Sequence, residues 1–298
     1  MASTHMPTYE PGNYQENSPT YKATLARAIV AFHKKSSPKA QTELAVDVAT
    51  GTGIFARELP RYFASVVGVD ISGEMLGKVM AQNRGRYITY VPSQAENLSF
   101  LGSHTVDLIT VATGAHWFDI PAFMAEAKRV LKPTGTLAIF GYTGLARFQR
   151  YPQCDVVLKD YAMGEDKLGP YWPVGRNVLV EGYVDYHKEM AKKGWTGIRR
   201  SSYPYVLDPA PSQFYPVYVP LEANVMNMKV NWRKLGKFLS TWLPLKDYDK
   251  DHPEVGGLCK STIEDMMLVA GTTNMDEDLK LDWEQVLLLG HPPTQGRH

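Results

Sequence analysis

The chain has 298 residues, 44% of them hydrophobic and 21% charged, with 32 Lys and Arg against 31 Asp and Glu. This length can bury one large core or one and a half domains. A near-zero net charge with no basic block gives nucleic acid no electrostatic footprint. No apolar run reaches the roughly 18 residues of a membrane span, and the first residues lack a signal peptide's apolar stretch. Cys154 and Cys259 are isolated, with neither metal spacing nor a disulfide framework. A cytoplasmic protein is therefore expected, with no metal, no membrane or nucleic-acid partner and no obligate protein partner evident. Met1-Ala2-Ser3-Thr4-His5-Met6 reads partly as a cloning remnant and is set aside.

Tyr21, Leu25, Ile29 and Phe32 lie at helical spacing over 20–35, and Ser36-Ser37-Pro38 ends that run. Leu44-Ala45-Val46-Asp47-Val48 then reads as a buried strand, Ala49-Thr50-Gly51-Thr52-Gly53 as a glycine turn, and Val66-Val67-Gly68-Val69-Asp70 as a second strand ending in a carboxylate. This is how a doubly wound α/β domain holds a nucleoside, with the terminal acid on the ribose hydroxyls. Gly51-Thr52-Gly53-Ile54-Phe55-Ala56 would by itself suit a nicotinamide dinucleotide. Asp47 argues against it, because a carboxylate at the turn repels a pyrophosphate and suits a ligand carrying an ammonium and a sulfonium. Helices are expected over Ile54–Phe63, Gly73–Asn83 and Pro121–Leu131. Pro60 should kink or split the first of them, since proline inside a helix costs about 3 kcal/mol. Five strands (44–48, 65–70, 88–91, 106–111 and 136–140) alternate with helices, the pattern of a parallel sheet.

Asp47-x-Ala49-x-Gly51-x-Gly53 resembles the first motif of class I S-adenosylmethionine-dependent methyltransferases, with Ala49 where that family has its first glycine. Ser93-Gln94-Ala95-Glu96 resembles the family's adenine-binding turn, with Gln94 in place of an acid. Arg129-Val130-Leu131-Lys132-Pro133-Thr134-Gly135-Thr136-Leu137 looks like its fifth helix-turn-strand unit. The resemblance implies S-adenosylmethionine as cofactor, held by Asp47, Ala49, Gly51, Gly53, Asp70, Ile71, Met75, Gln94, Ala95 and Ala112. The Ala112 carbonyl would take the methionine ammonium, and Tyr14 would fold over the cofactor from a flap of residues 1–19.

The regular alternation stops near Tyr142. Aromatic residues crowd 142–196, helical spacing returns over Val230–Leu245, and strands are expected at 198–207 and 278–290. The fold expected is thus a mostly parallel, seven-stranded Rossmann-like sheet with a helical cap inserted after the fifth strand. The core would be 20–141 with final strands in 197–207 and 276–298, and the cap would be 142–196 plus 208–275, over the sheet's carboxyl edge. Trp117, Tyr142, Trp172, Arg176 and Trp242 are the expected substrate contacts. Most cap aromatics would form the cap's own core, since only some can line a pocket. Tyr14-Gln15-Glu16-Asn17-Ser18-Pro19-Thr20-Tyr21, Ala115-His116-Trp117-Phe118-Asp119, Leu168-Gly169-Pro170-Tyr171-Trp172 and Thr241-Trp242 look like the fungal trans-aconitate methyltransferase group, with Ser18 where that group commonly has arginine.

His116 is the one candidate for proton transfer, with pocket lining as its competing role. The expected activity is methylation of a small organic molecule at a carboxylate or hydroxyl oxygen, either a short organic acid or a fungal-type secondary metabolite. Two alternatives stay open: a nicotinamide-dependent oxidoreductase, and a protein that binds the cofactor and promotes a rearrangement or cyclisation without methyl transfer.

Overall fold

The computed structural model describes residues 21, 23–36, 41–82, 87–173, 175–203 and 226–293. Its chain forms two compact units: Leu145–Arg176 with Asn227–Trp283, and Tyr21–Gly144 with Asn177–Met226 and the segment from Glu284 onward.

The second of these holds the sheet. Helix α1 (Ala23–Ser36) precedes β1 (Leu44–Val48), β2 (Ser65–Asp70), α2 (Gly73–Gln82), β3 (Ile88–Pro92), β4 (Val106–Ala112), α3 (Ile120–Val130) and β5 (Leu131–Phe148). Helices α5 (Arg176–Val180) and α6 (Val184–Lys192) and strands β6 (Thr196–Tyr203) and β8 (Leu279–His291) complete it, each strand being given at its full length. The strand order is β3-β2-β1-β4-β5-β8-β6, with β1 to β5 parallel and β6 antiparallel to β8. Eight strands stand among the described residues where seven are expected, the addition being β7 (Met226–Val230) on β8.

Alternation along the strands sends neighbouring residues to opposite faces. Val46, Ile109 and Leu137 pack with Phe123 and Ala127 of α3 and Met190 of α6. Ala45, Leu108 and Ala138 pack with Leu25 and Ile29 of α1 and with Phe55 and Leu59. Asp119 starts α3, its carboxylate accepting the Ala122 N–H at 2.9 Å.

The helix expected over Ile54–Phe63 is only a 3₁₀ segment, Ala56–Arg61, because Pro60 lies inside it. Residues from Asn177 to 196 group with the sheet and not with the expected cap. Tyr186 and Met190 of α6 belong to the sheet's own core cluster.

The other unit contains α4 (Cys154–Met163), α7 (Trp232–Leu239), α8 (Leu243–Asp251) and α9 (Leu258–Ala270). The single helix expected over Val230–Leu245 is two. Asn231 caps α7 by accepting the Lys234 N–H at 3.0 Å, and α8 restarts at Leu243-Pro244, where proline is tolerated. Cys154, Leu158, Trp232, Leu235, Phe238 and Met266 are buried there. Among the described residues no helix is long and apolar enough to cross a membrane.

Candidate functional site

The chain leaves β1 through three left-handed residues, Ala49 (φ 54°), Gly51 (φ 55°) and Gly53 (φ 71°). The two glycines serve different neighbours. A Cβ on Gly51 would meet nothing within 4 Å, so a ligand can lie against that backbone. A Cβ on Gly53 would lie 2.7 Å from the Tyr90 hydroxyl and 2.9 Å from Val79. The close approach at Gly53 is therefore to Tyr90, whose ring also occupies the space 2.6 Å from a Cβ on Gly68.

Asp47 is 1% exposed beneath this turn. Thr50 Oγ1 donates to its Oδ2 at 2.7 Å and Thr110 Oγ1 to its Oδ1 at 2.6 Å. Burial raises its pKa to about 6 against the pull of those two hydroxyls, and the Asp70 charge adds to the rise. Asp47 thus shapes the turn and sets the local field from below.

Asp70, ending β2, accepts the Gly51 N–H at 2.7 Å and the Ser72 N–H at 2.8 Å, and burial lifts its pKa above the usual carboxylate range. Ser72 Oγ accepts the Met75 N–H at 3.3 Å and so caps α2, which leaves Asp70 at the turn. Ile71 is 41% exposed just past the strand, while Met75 is buried in α2. Gln94 is exposed. Ala95 is buried with its side chain in the apolar core, so only its backbone could meet a ligand. Glu96 accepts the Asp119 N–H at 2.8 Å, tying this loop to the one after β4.

Ala112 ends β4 half-buried. Thr113 beside it is left-handed (φ 54°), donates its N–H to the Phe140 carbonyl at 2.8 Å, and pairs its hydroxyl with that of Tyr21. A β-branched residue at positive φ is a real outlier. Gly114 follows because a Cβ there would lie 2.5 Å from the Ala49 Cβ. His116 sits in the 3₁₀ segment Ala115–Trp117, its ring 4.8 Å from Trp117. Its Nδ1 is sealed and unpartnered among the described residues, and burial lowers its pKa to about 4. Such an imidazole is neutral near pH 7 and a weak proton acceptor. Trp117 and Tyr142 are half-buried, and Tyr14 lies outside the described residues.

In the helical unit, three residues singled out by sequence do meet. Trp172 and Trp242 have ring centroids 5.5 Å apart, and the Arg176 guanidinium lies 4.1 Å from the Trp172 ring centroid. Burial brings the Arg176 pKa down to about 10. The guanidinium donates to Met163 Sδ at 2.6 Å, and among the described residues no carboxylate pairs with it. A desolvated guanidinium on an aromatic face could take an anion.

Sequence reasoning missed the Gly114–Ala49 contact and the Tyr21–Thr113 pair. Neither carries a local signal, since each joins residues more than sixty positions apart.

The methyltransferase domain family matches residues 46–139. A Dictyostelium discoideum protein provisionally named a methyltransferase is 33% identical over 174 residues, 58% of this chain. The match spans 62% of that relative, less than two-thirds of its length. A Saccharomyces cerevisiae protein provisionally named an S-adenosylmethionine-dependent methyltransferase is 21% identical across 92% of this chain and 93% of its own. A solved Anaeromyxobacter dehalogenans structure, provisionally titled a type II methyltransferase, shares the fold with a TM-score of 0.68 at 20% identity, covering 93% of this chain and 99% of that one.

Proposed function

We propose that this chain, which carries a class I S-adenosylmethionine-dependent methyltransferase domain, methylates a small organic molecule at oxygen, with a carboxylate as the favoured acceptor. The observation that carries the reading is the turn after β1. Gly51 is open on its ligand side, its N–H is held by Asp70, and Asp47 lies below as a buried acid. That donor set fits S-adenosylmethionine: a carboxylate for ribose hydroxyls, bare backbone for close approach, and negative field for a cationic ligand. When bound, this cofactor supplies an electrophilic methyl on a sulfonium. Asp70 would hold the ribose and the Ala112 carbonyl the ammonium.

His116 supports the acidic acceptor. With its pKa down at about 4 it is a poor base, and a carboxylate is already ionised and needs none. Alignment of the acceptor then does most of the catalytic work, worth on the order of 7–11 kcal/mol. We assign Trp117 and Tyr142 to the acceptor's surroundings. The fungal-type resemblance makes trans-aconitate the first acid to try and aromatic acids the next.

The test is mass spectrometry with a trideuteromethyl cofactor and a panel of carboxylic acids. The expected product is a labelled ester formed with stoichiometric S-adenosylhomocysteine. Labelling at nitrogen, or turnover that leaves the cofactor mass unchanged, overturns the reading.

A further inference from the structure

Gly141 of β5 lies one residue past Phe140, the partner of Ala112 at the carboxyl end of the parallel ladder. Two hydroxyls converge on it. A Cβ placed there would stand 2.7 Å from the Tyr183 hydroxyl and 3.0 Å from Thr113 Oγ1. Both residues that bring them are left-handed without being glycine, Tyr183 at φ 60° and Thr113 at φ 54°. Thr113 spends its hydroxyl on Tyr21. Tyr183 spends its own on nothing: the side chain is 0% exposed and its oxygen has no hydrogen-bond partner among the described residues.

Tyr186, one turn further along α6, is the internal contrast. It is equally buried, its ring lies 6.1 Å from that of Tyr183, and its hydroxyl donates to the Ala115 carbonyl at 2.7 Å. The same helix end thus satisfies one phenol and leaves the other unsatisfied. A buried donor without a partner is destabilising, and phenylalanine would fill the same space without that loss. Backbone strain and an orphaned polar group held together mark a place where a ligand completes the structure. In open α/β sheets, ligands lie beyond the carboxyl ends of the strands; β4 and its parallel pairing with β5 end here, on the far side of β4 from the Asp70 turn.

We propose that the Tyr183 hydroxyl is the hydrogen-bond donor that holds the acceptor's oxyanion, beside Gly141 and Thr113. This rests on the methyltransferase reading and adds the residue that grips the acceptor. Burial keeps the phenol protonated far above its ordinary range, so it remains a donor at any working pH. Its partner must therefore be an oxygen that accepts, such as a carboxylate or a phenolate. Tyr183 is on this account a substrate-binding residue and performs no proton transfer.

The experiment compares wild type with Tyr183→Phe by differential scanning calorimetry and by titration with S-adenosylhomocysteine. Benzoate, salicylate and phenol are then titrated onto the S-adenosylhomocysteine complex. The melting temperature of unliganded Y183F should rise by about 2–4 °C. S-adenosylhomocysteine affinity should be unchanged, and the best-bound of the three probes should bind about 10–100-fold more weakly. Gly141→Ala, whose methyl would stand 2.7 Å from the Tyr183 hydroxyl and crowd it, should weaken probe binding with S-adenosylhomocysteine affinity intact. A lower melting temperature in Y183F, equal probe affinity in the two proteins, or no probe binding to wild type each overturns the assignment. Loss of S-adenosylhomocysteine binding by the wild type itself would instead overturn the methyltransferase reading.

Discussion

The two edges of the parallel sheet are built on opposite terms. At the amino edge, Asp107, the second residue of β4, is fully buried, accepts the Glu43 and Leu44 N–H groups at 3.0 Å, and pairs with Lys132 at 3.0 Å. His33 engages both ring nitrogens, with the Thr136 hydroxyl at 2.9 Å and the Gln41 carbonyl at 2.8 Å. His291 is tied by Nδ1 to the Gly135 carbonyl at 2.8 Å and stacks on Phe32, and its Nε2 has no partner among the described residues. At the carboxyl edge the backbone is left-handed at Ala49 and Thr113, Asp47 and Asp70 are harder to ionise, and the Tyr183 hydroxyl and His116 Nδ1 lack partners among the described residues. At the amino edge most polar groups are spent on holding strands together, whereas the Tyr183 hydroxyl and His116 Nδ1 stand where a ligand can supply the partner.

Damage to the amino edge should therefore act on stability alone, and the largest effect is expected there. Asp107→Ala leaves the Glu43 and Leu44 amides without their acceptor and takes one partner from Lys132, which keeps Gln41 and Glu43, and should lose about 2–5 kcal/mol in urea denaturation. Cofactor affinity of the folded fraction should stay at the wild-type value. A D107A protein of normal stability but weakened affinity would erase the distinction between the edges.

Acid should expose the carboxyl edge next. A histidine whose folded pKa is depressed binds its proton more readily when unfolded, so its stabilising share is whole above pH 6.5 and is lost as pH falls toward the folded value. For His116, at about 4, that loss is about 3 kcal/mol at most, with His33 and His291 adding in the same direction. Asp47 acts in the opposite sense. Its folded pKa of about 6 lies above the ordinary 3.8, so protonation relieves the folded state as pH drops through 6. His116→Gln should flatten the acid limb between pH 6.5 and 4, and Asp47→Asn should steepen it. Affinity for cationic S-adenosylmethionine should fall below pH 6 in wild type and lose that dependence in D47N. Parallel stability profiles for the three proteins would refute both assignments.

What was legible in the sequence was what is local. Asp47, Gly51 and Asp70 could be read because a buried strand, its turn and the next strand occupy one short stretch. The first four strands fall within a residue of expectation, since alternation and turn residues lie side by side. The Ile54–Phe63 segment failed because proline outweighed an apolar period, leaving 3₁₀ geometry at Ala56–Arg61. Spacing along 142–196 says which face of a helix is apolar but not what it packs on, so the sequence places α6 in a cap while its Tyr186 and Met190 share the sheet's core. Strand β7, Met-Asn-Met-Lys-Val, has no period to read. The Gly141–Thr113–Tyr183 grouping joins three segments, and nothing in any one of them announces the other two.

At the carboxyl edge itself, Asp70→Ala should weaken S-adenosylmethionine by about 1.5–3 kcal/mol, the scale of hydrogen bonds to a charged group. The variant also frees the Gly51 N–H, so part of the loss is positional. Asp70→Asn, which can still accept that N–H, should recover only a fraction of the affinity. Calorimetric titration giving wild-type affinity for a folded D70A protein would remove Asp70 from the site.

The smallest effect is expected at Ala49, and it tests whether the strained turn is tuned for function or merely tolerated. Ala49→Gly relieves a left-handed alanine, which favours the folded state by roughly 1–2 kcal/mol, but frees the unfolded chain by about 0.4–1 kcal/mol. The net gain should be about 1 kcal/mol or less by urea denaturation. Gly114 decides what the residual methyl is for. A Cβ at Gly114 would sit 2.5 Å from that of Ala49, so Gly114→Ala alone overpacks the β1 and β4 turns and should be destabilising. In the A49G background the same substitution should be tolerated. A double-mutant cycle should return a coupling of about 1 kcal/mol or more, because the two residues share one contact. If the two changes add without coupling, the methyl of Ala49 does not set the spacing of the turns, and Gly114 is glycine for another reason.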